Sequence, residues 1–515
     1  MTALRPHFHR ALVLPAAALA LSAALAQTKP NIVIYLADDH SQRDASIYGA
    51  PPPLRTPSLD KLAADGMTFD NAFAASPSCA PSRSAFLTGL MPARNGAEAN
   101  HTLPSSADLY LTKRLQAAGY RVAAFGKVAD GGSPPEKGFG FWKNVPKGGD
   151  LSGAVTTYYS GLADKTKPVC LMVGDERPHV SWTTAPRYRA ADVTLPPTFI
   201  DTKETREHWA RYLTEVADMD AEMGKVYAWA KATFGANLVF LYSADHGAQW
   251  PFGKWNLYDA GIKVPLVFAA PGRVAAGTRT QAMVSWVDLL PTLFDLTGIA
   301  LPPDLDGSSF KPVLLNAAAA HRDRIFATHS GDGDYNAFPI RCVRSSAFKY
   351  ILNPYPGFYH SNHSDMDRLD GAGAYWDSWD SAASKDPAAA AIRYRYYIRP
   401  REEFYSLADD PWERNNLIGA AKYAAQIQAM RKQVADWMKA QGDTATLYGK
   451  PMPVSGPRPG NTDTIRPWQA PVGLEGMRTR AQAPGLTRLF VPGRDISGGT
   501  AHAVRGDGRV LPRFR

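Results

Sequence analysis

Two polar clusters in the sequence follow strongly apolar runs and contain side chains that proteins use to bind metal ions. Asp38 and Asp39 follow the run NIVIYL, and Asp245 and His246 follow the run NLVFLY. Such runs are typical of buried strands in a parallel sheet, and parallel strands end at a common ligand-binding edge. Either cluster alone could be a solvated loop, but together they predict a divalent cation site. The oxygen-rich donors favour Ca²⁺, and the imidazole leaves Mg²⁺ or Mn²⁺ open.

Cys79 lies at a second position that is suited to anion chemistry. Pro81 is typical of the first turn of a helix and Gly89 of its end, so the sequence predicts a helix that begins just after Cys79. The free N–H groups and the dipole of a helix N-terminus favour an anionic group. Arg83, four residues after Cys79, would lie on the same helix face.

The block around Cys79, SCAPSRSAFLTG, resembles the signature of the formylglycine-dependent sulfatases, in which this cysteine is oxidised to a Cα-formylglycine aldehyde. Further motifs are similar to the family in the family's order, and together they cover about residues 29 to 440: KPNIVIYLADD, TPSLD, FGK, DHG and EFYSLADDPWE. Three stretches resemble the heparan N-sulfatase (sulfamidase) branch in particular: FGKWNLYDAG, FPIRCVR and residues 403–417.

The resemblance implies roles for the clustered residues. The implied metal ligands are Asp38, Asp39, Cys79, Asp245 and His246. In the family, the hydrated aldehyde binds the metal through one oxygen and attacks sulfur through the other. Arg83 would hold this hydrate, and Asp245 can accept the proton.

The resemblance also implies substrate-binding residues. Lys127 and Lys254 match the family's two sulfate-binding lysines, and His179 matches the histidine that contacts sulfate and protonates the leaving group. Each of these residues alone is most often structural or solvated, so the assignment depends on the surrounding motifs. His101 is a further candidate because it lies in a loop that could line a sugar pocket.

One position departs from the family pattern. The family usually carries Gly-Lys-x-His, whereas this sequence has Ala129 in place of the histidine. In the family, that histidine is assigned to the formylglycine hydrate, where it helps to expel sulfate and regenerate the aldehyde. Asp130 could substitute for it, although it lies one position further along the chain, and a histidine from elsewhere is another candidate.

Short apolar runs that alternate with helical stretches predict an α/β fold. The resemblance implies an alkaline-phosphatase-like architecture, with a large, mixed, mostly parallel sheet flanked by helices and a smaller C-terminal α+β subdomain. Thr56 before Pro57 predicts a helix N-cap, and a Trp/Met stripe between Trp209 and Val226 predicts a buried helix face. We predict a catalytic domain at 27–320, a C-terminal subdomain at 321–448 and a mobile Pro-, Gly- and Arg-rich tail at 449–515.

The N-terminus predicts export. Residues 1–26 combine two arginines with an apolar run that closes on the small-residue pattern ALA, which is typical of a secretory signal peptide. The run is shorter than the roughly 20 residues of a membrane-spanning helix, so we predict no membrane anchor and a secreted or periplasmic protein. Three cysteines are too few for a disulfide scaffold. The formal net charge of +9 lies almost wholly in the leader and in residues 451–515, which argues against nucleic acid as a partner of the body.

These patterns predict an exported sulfatase that hydrolyses sulfate ester or sulfamate groups on glycosaminoglycan-type sugars. A sulfated carbohydrate would be its substrate, and a formylglycine-generating or sulfatase-maturating enzyme would be its processing partner. Two alternatives stay open. One is a phosphonate or phosphate ester hydrolase of the same superfamily. The other is a glycan-binding pseudoenzyme, which the departure at Ala129 suggests.

Overall fold

The computed structural model describes residues 29–333, 336–368 and 373–458. The predicted signal peptide at 1–26 and residues 459–515 of the predicted tail lie outside the described residues. No helix in the described ranges is both long and apolar enough to cross a membrane. All three cysteines of the chain are buried, and none of them forms a disulfide in the structure.

The large sheet contains eight strands: β1 (Asn31–Asp38), β2 (Met67–Phe73), β3 (Arg121–Gly126), β4 (Phe141–Lys143), β5 (Val169–Pro178), β6 (Leu238–Ala244), β7 (Leu266–Ala269) and β8 (Thr278–Ser285). Their order across the sheet is β4-β3-β5-β1-β6-β7-β2-β8. β7 is antiparallel to both of its neighbours, and the other paired strands are parallel. The predicted mixed, mostly parallel sheet is therefore confirmed.

β1 lies near the middle of this sheet, between β5 and β6. Its side chains are buried from Ile32 to Asp38, and β5 and β6 pair with its two edges. Ala37 pairs with Ala244 of β6, and Asp38 pairs with Pro178 of β5. Since the three strands run parallel, the segments that follow them leave the sheet at one edge, as the two apolar runs predicted.

The α-helices of the described residues include those that connect the strands of this sheet and those of the C-terminal part. They are α1 (Pro57–Asp65), α2 (Cys79–Thr88), α3 (Pro92–Asn95), α4 (Thr112–Ala117), α5 (Leu151–Ser160), α6 (Lys203–Phe234), α7 (Asp259–Ile262), α8 (Leu289–Thr297), α9 (Lys311–Leu315), α10 (His363–Met366), α11 (Trp376–Ala383), α12 (Pro387–Tyr397) and α13 (Ala424–Gln441). The predicted Trp/Met stripe lies on α6, where its members from Trp209 to Val226 are buried. It therefore packs into the core, as its spacing predicted.

The N-terminus of α1 is capped from outside its own sequence, contrary to prediction. Thr56 makes no cap hydrogen bond to α1, and its Oγ1 accepts from the N–H of Ser46 at 2.8 Å instead. The carboxylate of Asp220 in α6 accepts from the N–H groups of Ser58 and Leu59 at 2.9 and 2.8 Å. A long-range carboxylate thus satisfies the first turn, which the local capping rule could not reveal.

A second, antiparallel sheet forms the core of the C-terminal part. Its strands are β9 (Arg324–His329), β10 (Ile340–Ser345), β11 (Phe348–Leu352) and β12 (Glu402–Ser406), in the order β12-β11-β10-β9. α13 packs on this sheet through Ile427, Met430, Val434 and Met438, which share a core cluster with residues of the strands. The structure therefore contains the smaller α+β unit that the sequence predicted.

The packed chain extends beyond the predicted subdomain end at residue 448. The N–H of Tyr359 donates to the carbonyl of Met452 at 2.8 Å. Arg458 is buried and donates to the carboxylate of Asp380 at 2.9 and 3.0 Å and to the hydroxyl of Tyr397 at 3.0 Å. Residues 449–458 thus belong to the body of the protein and not to the predicted tail.

A truncation series tests this revised boundary. A chain that ends at residue 450 loses the contacts of Arg458, and it leaves Asp380 without one of its cationic partners. We expect its melting temperature to fall by several degrees, since lost buried contacts of this kind cost about 1–3 kcal/mol. A chain that ends at residue 458 keeps these contacts and should melt like the full-length protein. Equal melting temperatures for the two truncations in a calorimetric scan would contradict the boundary.

Candidate active site

Four buried side chains from three parts of the chain meet at the carboxyl end of β1. Candidate ligand atoms of Asp38, Asp39, Cys79 and His246 all lie within 4.8 Å of one another. The Sγ of Cys79 lies 3.6 Å from Oδ1 of Asp38 and 3.4 Å from Nε2 of His246. The structure thus brings together four of the five residues that the sequence predicted as metal ligands.

Cys79 reaches the cluster because it is the first residue of α2. The hydroxyl of Ser82, in the first turn of this helix, donates to the carbonyl of Asp245 at 2.6 Å. This bond ties the helix to the segment that follows β6. Gly89 ends the helix with a φ of 67°, in the left-handed region that glycine adopts without strain. The N-terminus of α2 is thereby anchored beside the aspartates.

Asp245, the fifth predicted ligand, contacts the cluster from one side. Its Oδ2 lies 3.6 Å from Nε2 of His246 and accepts from Nε of Arg83 at 2.9 Å. Its Oδ1 accepts from the backbone N–H groups of His246 and Asp39 at 2.9 and 3.2 Å. Asp245 therefore joins the segments after β1 and β6, in addition to lying next to the four clustered side chains.

Arg83 is buried between two of the aspartates. Beyond its bond to Asp245, its Nη1 donates to the carbonyl of Lys127. Its Nη2 lies 3.7 Å from Oδ2 of Asp38 and makes no hydrogen bond. Buried donors are nearly always paired, so an unpaired guanidinium nitrogen points to a further acceptor at this site. An oxygen on residue 79 or on a bound anion would be such an acceptor.

Each of the two predicted lysines pairs with one aspartate. Lys127 donates through Nζ to Oδ2 of Asp38. Lys254 donates to Oδ1 and Oδ2 of Asp39 at 2.9 and 3.1 Å. Lys254 is buried, whereas 22% of the Lys127 side chain is exposed. Of the two, Lys127 therefore lies nearer to solvent.

The pKa values of the ionisable groups in the cluster are shifted in different directions. Burial would raise the pKa of Asp38, but nearby cations, led by Lys127, outweigh it and hold this pKa well below its usual value. Burial raises the pKa of Asp39 to about 8, and Lys254 opposes this effect only in part. Burial lowers the pKa of His246 to about 4. The imidazole of His246 is therefore neutral at pH 7, which is the form that binds metal ions.

His179 follows directly after β5 and approaches the cluster from the solvent side. Its Nε2 lies 4.0 Å from Oδ2 of Asp39, and 30% of its side chain is exposed. Its Nδ1 lies 2.6 Å from the carbonyl of Val180, to which it donates. Partial burial and the positive charge of Lys254 lower the pKa of His179 well below its usual value. Nε2 is thus the nitrogen that faces the site.

His101 and Asp130 meet at the rim of the site. Nδ1 of His101 lies 3.7 Å from Oδ2 of Asp130, and its Nε2 lies 3.5 Å from Oδ1 of Asp332. The contact with Asp130 raises the pKa of His101, and the charge of Asp332 adds to this effect. His101 also has a φ of 61°, which is unusual for a residue other than glycine. The structure therefore pairs the two residues that sequence analysis considered separately.

Sequence analysis missed two residues that hold the site in place. Oδ1 of Asn100 accepts from the N–H of Ala80 at 3.1 Å and so fixes the residue next to the nucleophile position. Oε1 of Gln249 accepts from Nζ of Lys254 at 3.3 Å. Neither residue belongs to a motif with a chemical pattern of its own. The only available signal was the closeness of Asn100 to His101 and of Gln249 to Lys254 along the chain.

The donor set fits a divalent cation. Carboxylate oxygens and a neutral imidazole suit such ions, and the 4.8 Å spread of the donor atoms allows one ion at ligand distances of about 2.0–2.6 Å. Asp38, Asp39 and His246 would hold it. Burial raises the pKa of the Cys79 thiol well above its usual value, so an unmodified thiol would be a poor fourth ligand. An oxygen at position 79 would suit a hard cation better.

Comparison with known proteins identifies the family. The family model "Sulfatase" matches residues 30–299, and the model "N-sulphoglucosamine sulphohydrolase, C-terminal" matches residues 246–362. An ulvan-active sulfatase of Formosa agariphila is 31% identical over 428 residues, which cover 81% of this chain and 81% of that protein. The resemblance of the sequence motifs to the sulfatase family is therefore confirmed.

Solved structures share the fold at lower identity. A solved structure of a protein in complex with its substrate D-glucosamine-2-N,6-O-disulfate has a TM-score of 0.64 at 20% identity, and the match covers 81% of this chain and 99% of that one. A phosphonate monoester hydrolase of Agrobacterium radiobacter has a TM-score of 0.61 at 18% identity, covering 80% and 96%. The alkaline-phosphatase-like fold is thus confirmed. The family match and the 31% identical relative establish that this chain belongs to the sulfatase family.

Proposed function

We propose that the protein hydrolyses sulfate ester or sulfamate groups on glycosaminoglycan-type saccharides, with a formylglycine made from Cys79 and a divalent cation, Ca²⁺ by preference. The observation that carries this proposal is the position of Cys79. It is buried at the N-terminus of α2, in contact with Asp38 and His246, next to an arginine nitrogen that lacks an acceptor. A sulfate group bound next to residue 79 would lie close to the cationic side chains that can neutralise its negative charge.

Cationic side chains would bind the sulfate group. Lys127 and Lys254 present ammonium groups beside Asp38 and Asp39, and Nη2 of Arg83 is a donor that makes no hydrogen bond. These donors are held in place before substrate arrives, because each is already anchored by another contact. Preorganised donors stabilise charge that develops on the transferred group without a cost of rearrangement in the transition state.

The bound cation would supply Lewis acidity, and formylglycine at position 79 would supply a hydroxyl nucleophile. The carboxylate of Asp245 is the base that can take the proton of that hydroxyl, since it lies next to His246 and Arg83. His179 presents Nε2 from the open side of the cluster, where a leaving group would depart. In the imidazolium form, which the negative charge of a bound sulfate group would favour, Nε2 would deliver its proton to the leaving oxygen or nitrogen, and the neutral ring would remain.

The saccharide substrate is proposed from the relatives. The match to the sulphohydrolase C-terminal model supports an N-sulfo or O-sulfo sugar of the glycosaminoglycan type. The Formosa agariphila relative is named for activity on ulvan. A panel of matched sulfate, sulfamate and phosphonate esters tests the choice. Faster turnover of a sulfate or sulfamate ester would support the proposal. Faster turnover of a phosphonate ester would favour the alternative of a phosphonate hydrolase, whose fold this chain shares.

Export and maturation complete the proposal. The leader at 1–26 would direct the protein to the periplasm or the outside of the cell. A formylglycine-generating or sulfatase-maturating enzyme would act on Cys79 before the chain folds, because the folded protein buries this residue.

The first prediction concerns the modification of Cys79. We expect peptide mass spectrometry of protein from the native host to find formylglycine at position 79. Cys170 and Cys342 are matched controls, since they are also buried free cysteines but lie in strands β5 and β10. Both should remain thiols. An unmodified thiol at position 79 in fully active protein would refute the mechanism, and the same thiol in inactive protein would favour the glycan-binding pseudoenzyme.

The second prediction concerns the metal. Asp38→Asn keeps the shape of the side chain but removes a proposed ligand, so it should abolish turnover and the stabilisation by added Ca²⁺. A ligand present at 100 times its Kd stabilises the folded state by about 2.7 kcal/mol, which a thermal shift assay with chelator and with Ca²⁺ resolves. Asp220→Asn is the control, because it weakens the cap of α1 and leaves the cluster intact. It should lower the melting temperature but retain the metal response.

The third prediction concerns the base that replaces the missing histidine. If the pair of Asp130 and His101 serves sulfate release, Asp130→Asn should leave the first sulfur transfer intact and slow the later turnover. A rapid-mixing experiment should then show a burst followed by a slow steady state. Glu136→Gln is the control, since it removes a carboxylate from the same loop region outside the pair. Wild-type kinetics for Asp130→Asn would reject the role.

A further inference from the structure

The loop that carries Lys254 is held in an unfavourable backbone shape. Phe252 and Trp255 have φ values of 69° and 64°, in the left-handed region that large side chains rarely adopt. Residues keep such conformations only where the surrounding structure enforces them. The position of Lys254, which lies between these two residues, therefore depends on contacts from outside the loop.

The loop is also packed tightly against its own backbone and against the nucleophile segment. A Cβ atom on Gly253 would lie 2.3 Å from the carbonyl oxygen of Ala248, so only glycine fits there. The N–H of Trp255 donates at 2.8 Å to the carbonyl of Pro77, two residues before Cys79. A shift of this loop would therefore disturb both Lys254 and the approach to Cys79.

Arg399, just after α12, contacts the loop from the C-terminal part of the chain. Its Nη2 donates to Oδ1 of Asn256 at 2.8 Å, and its Nη1 donates to the hydroxyl of Tyr258. Its guanidinium carbon lies 5.4 Å from the ring centroid of Phe252, within the range of cation–π attraction. The guanidinium is buried, so these contacts are little weakened by solvent.

Asn256 links Arg399 to Lys254 by hydrogen bonds to both residues. Its Nδ2 donates to the carbonyl of Lys254 at 3.1 Å, while the ammonium of Lys254 donates to Asp39. Because Arg399 can only donate, it requires Oδ1 of Asn256 on its side and so fixes the amide with Nδ2 toward Lys254. Two hydrogen bonds thus connect Arg399 through Asn256 to the backbone of Lys254, whose side chain reaches the cluster.

We propose that Arg399 is a positioning residue for the reaction: through Asn256 it fixes the backbone of Lys254, and thereby the place where the Lys254 ammonium meets a sulfate group. Arg399 does not itself contact the cluster. The inference rests on the proposed function, since it assumes that Lys254 binds the sulfate of the substrate.

The geometry requires an arginine at this position. A guanidinium has a planar fork of donors, which lets Arg399 contact Asn256 and Tyr258 at once. A lysine would keep the charge but has a single ammonium and cannot reproduce both directions. Arg395 provides a matched control, because its guanidinium lies 4.7 Å from the ring of Phe252 while its hydrogen bond goes to the carbonyl of Glu413.

The experiment compares four variants of the full-length, metal-loaded enzyme: Arg399→Lys, Asn256→Asp, Arg395→Lys and Lys254→Ala. Asn256→Asp keeps the acceptor for Arg399 but loses the donor to the carbonyl of Lys254. The readouts are the competitive inhibition constant of inorganic sulfate, the KM and kcat for a small aryl sulfate, and the melting temperature. A purely structural role would move the melting temperature but leave sulfate inhibition unchanged.

We expect Arg399→Lys and Asn256→Asp to weaken inhibition by sulfate by about tenfold, the factor that a displaced charge-assisted contact of about 1.4 kcal/mol corresponds to. Lys254→Ala should weaken it at least as much, and Arg395→Lys should keep the wild-type constant. The KM for the aryl sulfate should rise together with the inhibition constant. If Arg399→Lys is too unstable to purify, Asn256→Asp decides the question alone.

The remaining outcomes separate this inference from the proposed function. Unchanged sulfate inhibition in Lys254→Ala would show that Lys254 does not bind sulfate, and the proposed function would lose that residue. Weakened inhibition in Lys254→Ala, with wild-type inhibition in Arg399→Lys and Asn256→Asp, would overturn the positioning role alone. Equal losses in Arg395→Lys would also overturn it, because they would reveal a general packing effect.

Discussion

Three carboxylates and two cationic side chains are buried together at one edge of the large sheet, with the partly exposed Lys127 beside them, and the burial of these groups constrains the rest of the structure. Removing charged groups from water costs several kcal/mol per ion unless each charge is paired with good geometry. The pairs are formed by Asp38 with Lys127 and Arg83, by Asp245 with Arg83, and by Asp39 with Lys254. None of these partners is a neighbour in sequence. The fold must therefore bring five separate chain segments close enough together for their side chains to form hydrogen bonds and ion pairs.

The central position of β1 and the burial of α2 meet this requirement. β1 lies between β5 and β6, so Asp38 at its end and Asp39 just after it emerge beside His179 and Asp245. α2 is buried along its whole length, and its first turn is bonded both to the segment after β6 and to Asn100. Cys79 therefore has little freedom in the folded protein. This rigidity suits a residue that must present a nucleophile to sulfur in one orientation.

The parts of this arrangement that could be predicted from sequence are those fixed by local pattern. The apolar runs before Asp38 and Asp245 predicted two buried parallel strands because a strand covered on both faces has no polar side to display. The features that could not be predicted depend on tertiary contacts. Asp220 caps a helix that is far away in sequence. Arg458 bonds to Asp380, and nothing in the Pro- and Gly-rich segment around Arg458 predicts that contact. Propensity rules describe neighbours along the chain and not neighbours in space.

The C-terminal part of the chain also cannot be separated from the site, although it has its own sheet. Lys349 of β11 is buried and pairs with Asp259 at 2.6 Å and with Glu413 at 2.8 Å. The N–H of Asp259 donates to Glu413 at 2.6 Å, and Asp259 begins α7 directly after the Lys254 loop. The buried carboxylate of Asp259 would lose Lys349 as a partner if the two units moved apart, which is costly. A boundary near residue 320 therefore divides the two sheets but not the active site, whose second lysine is held by both units.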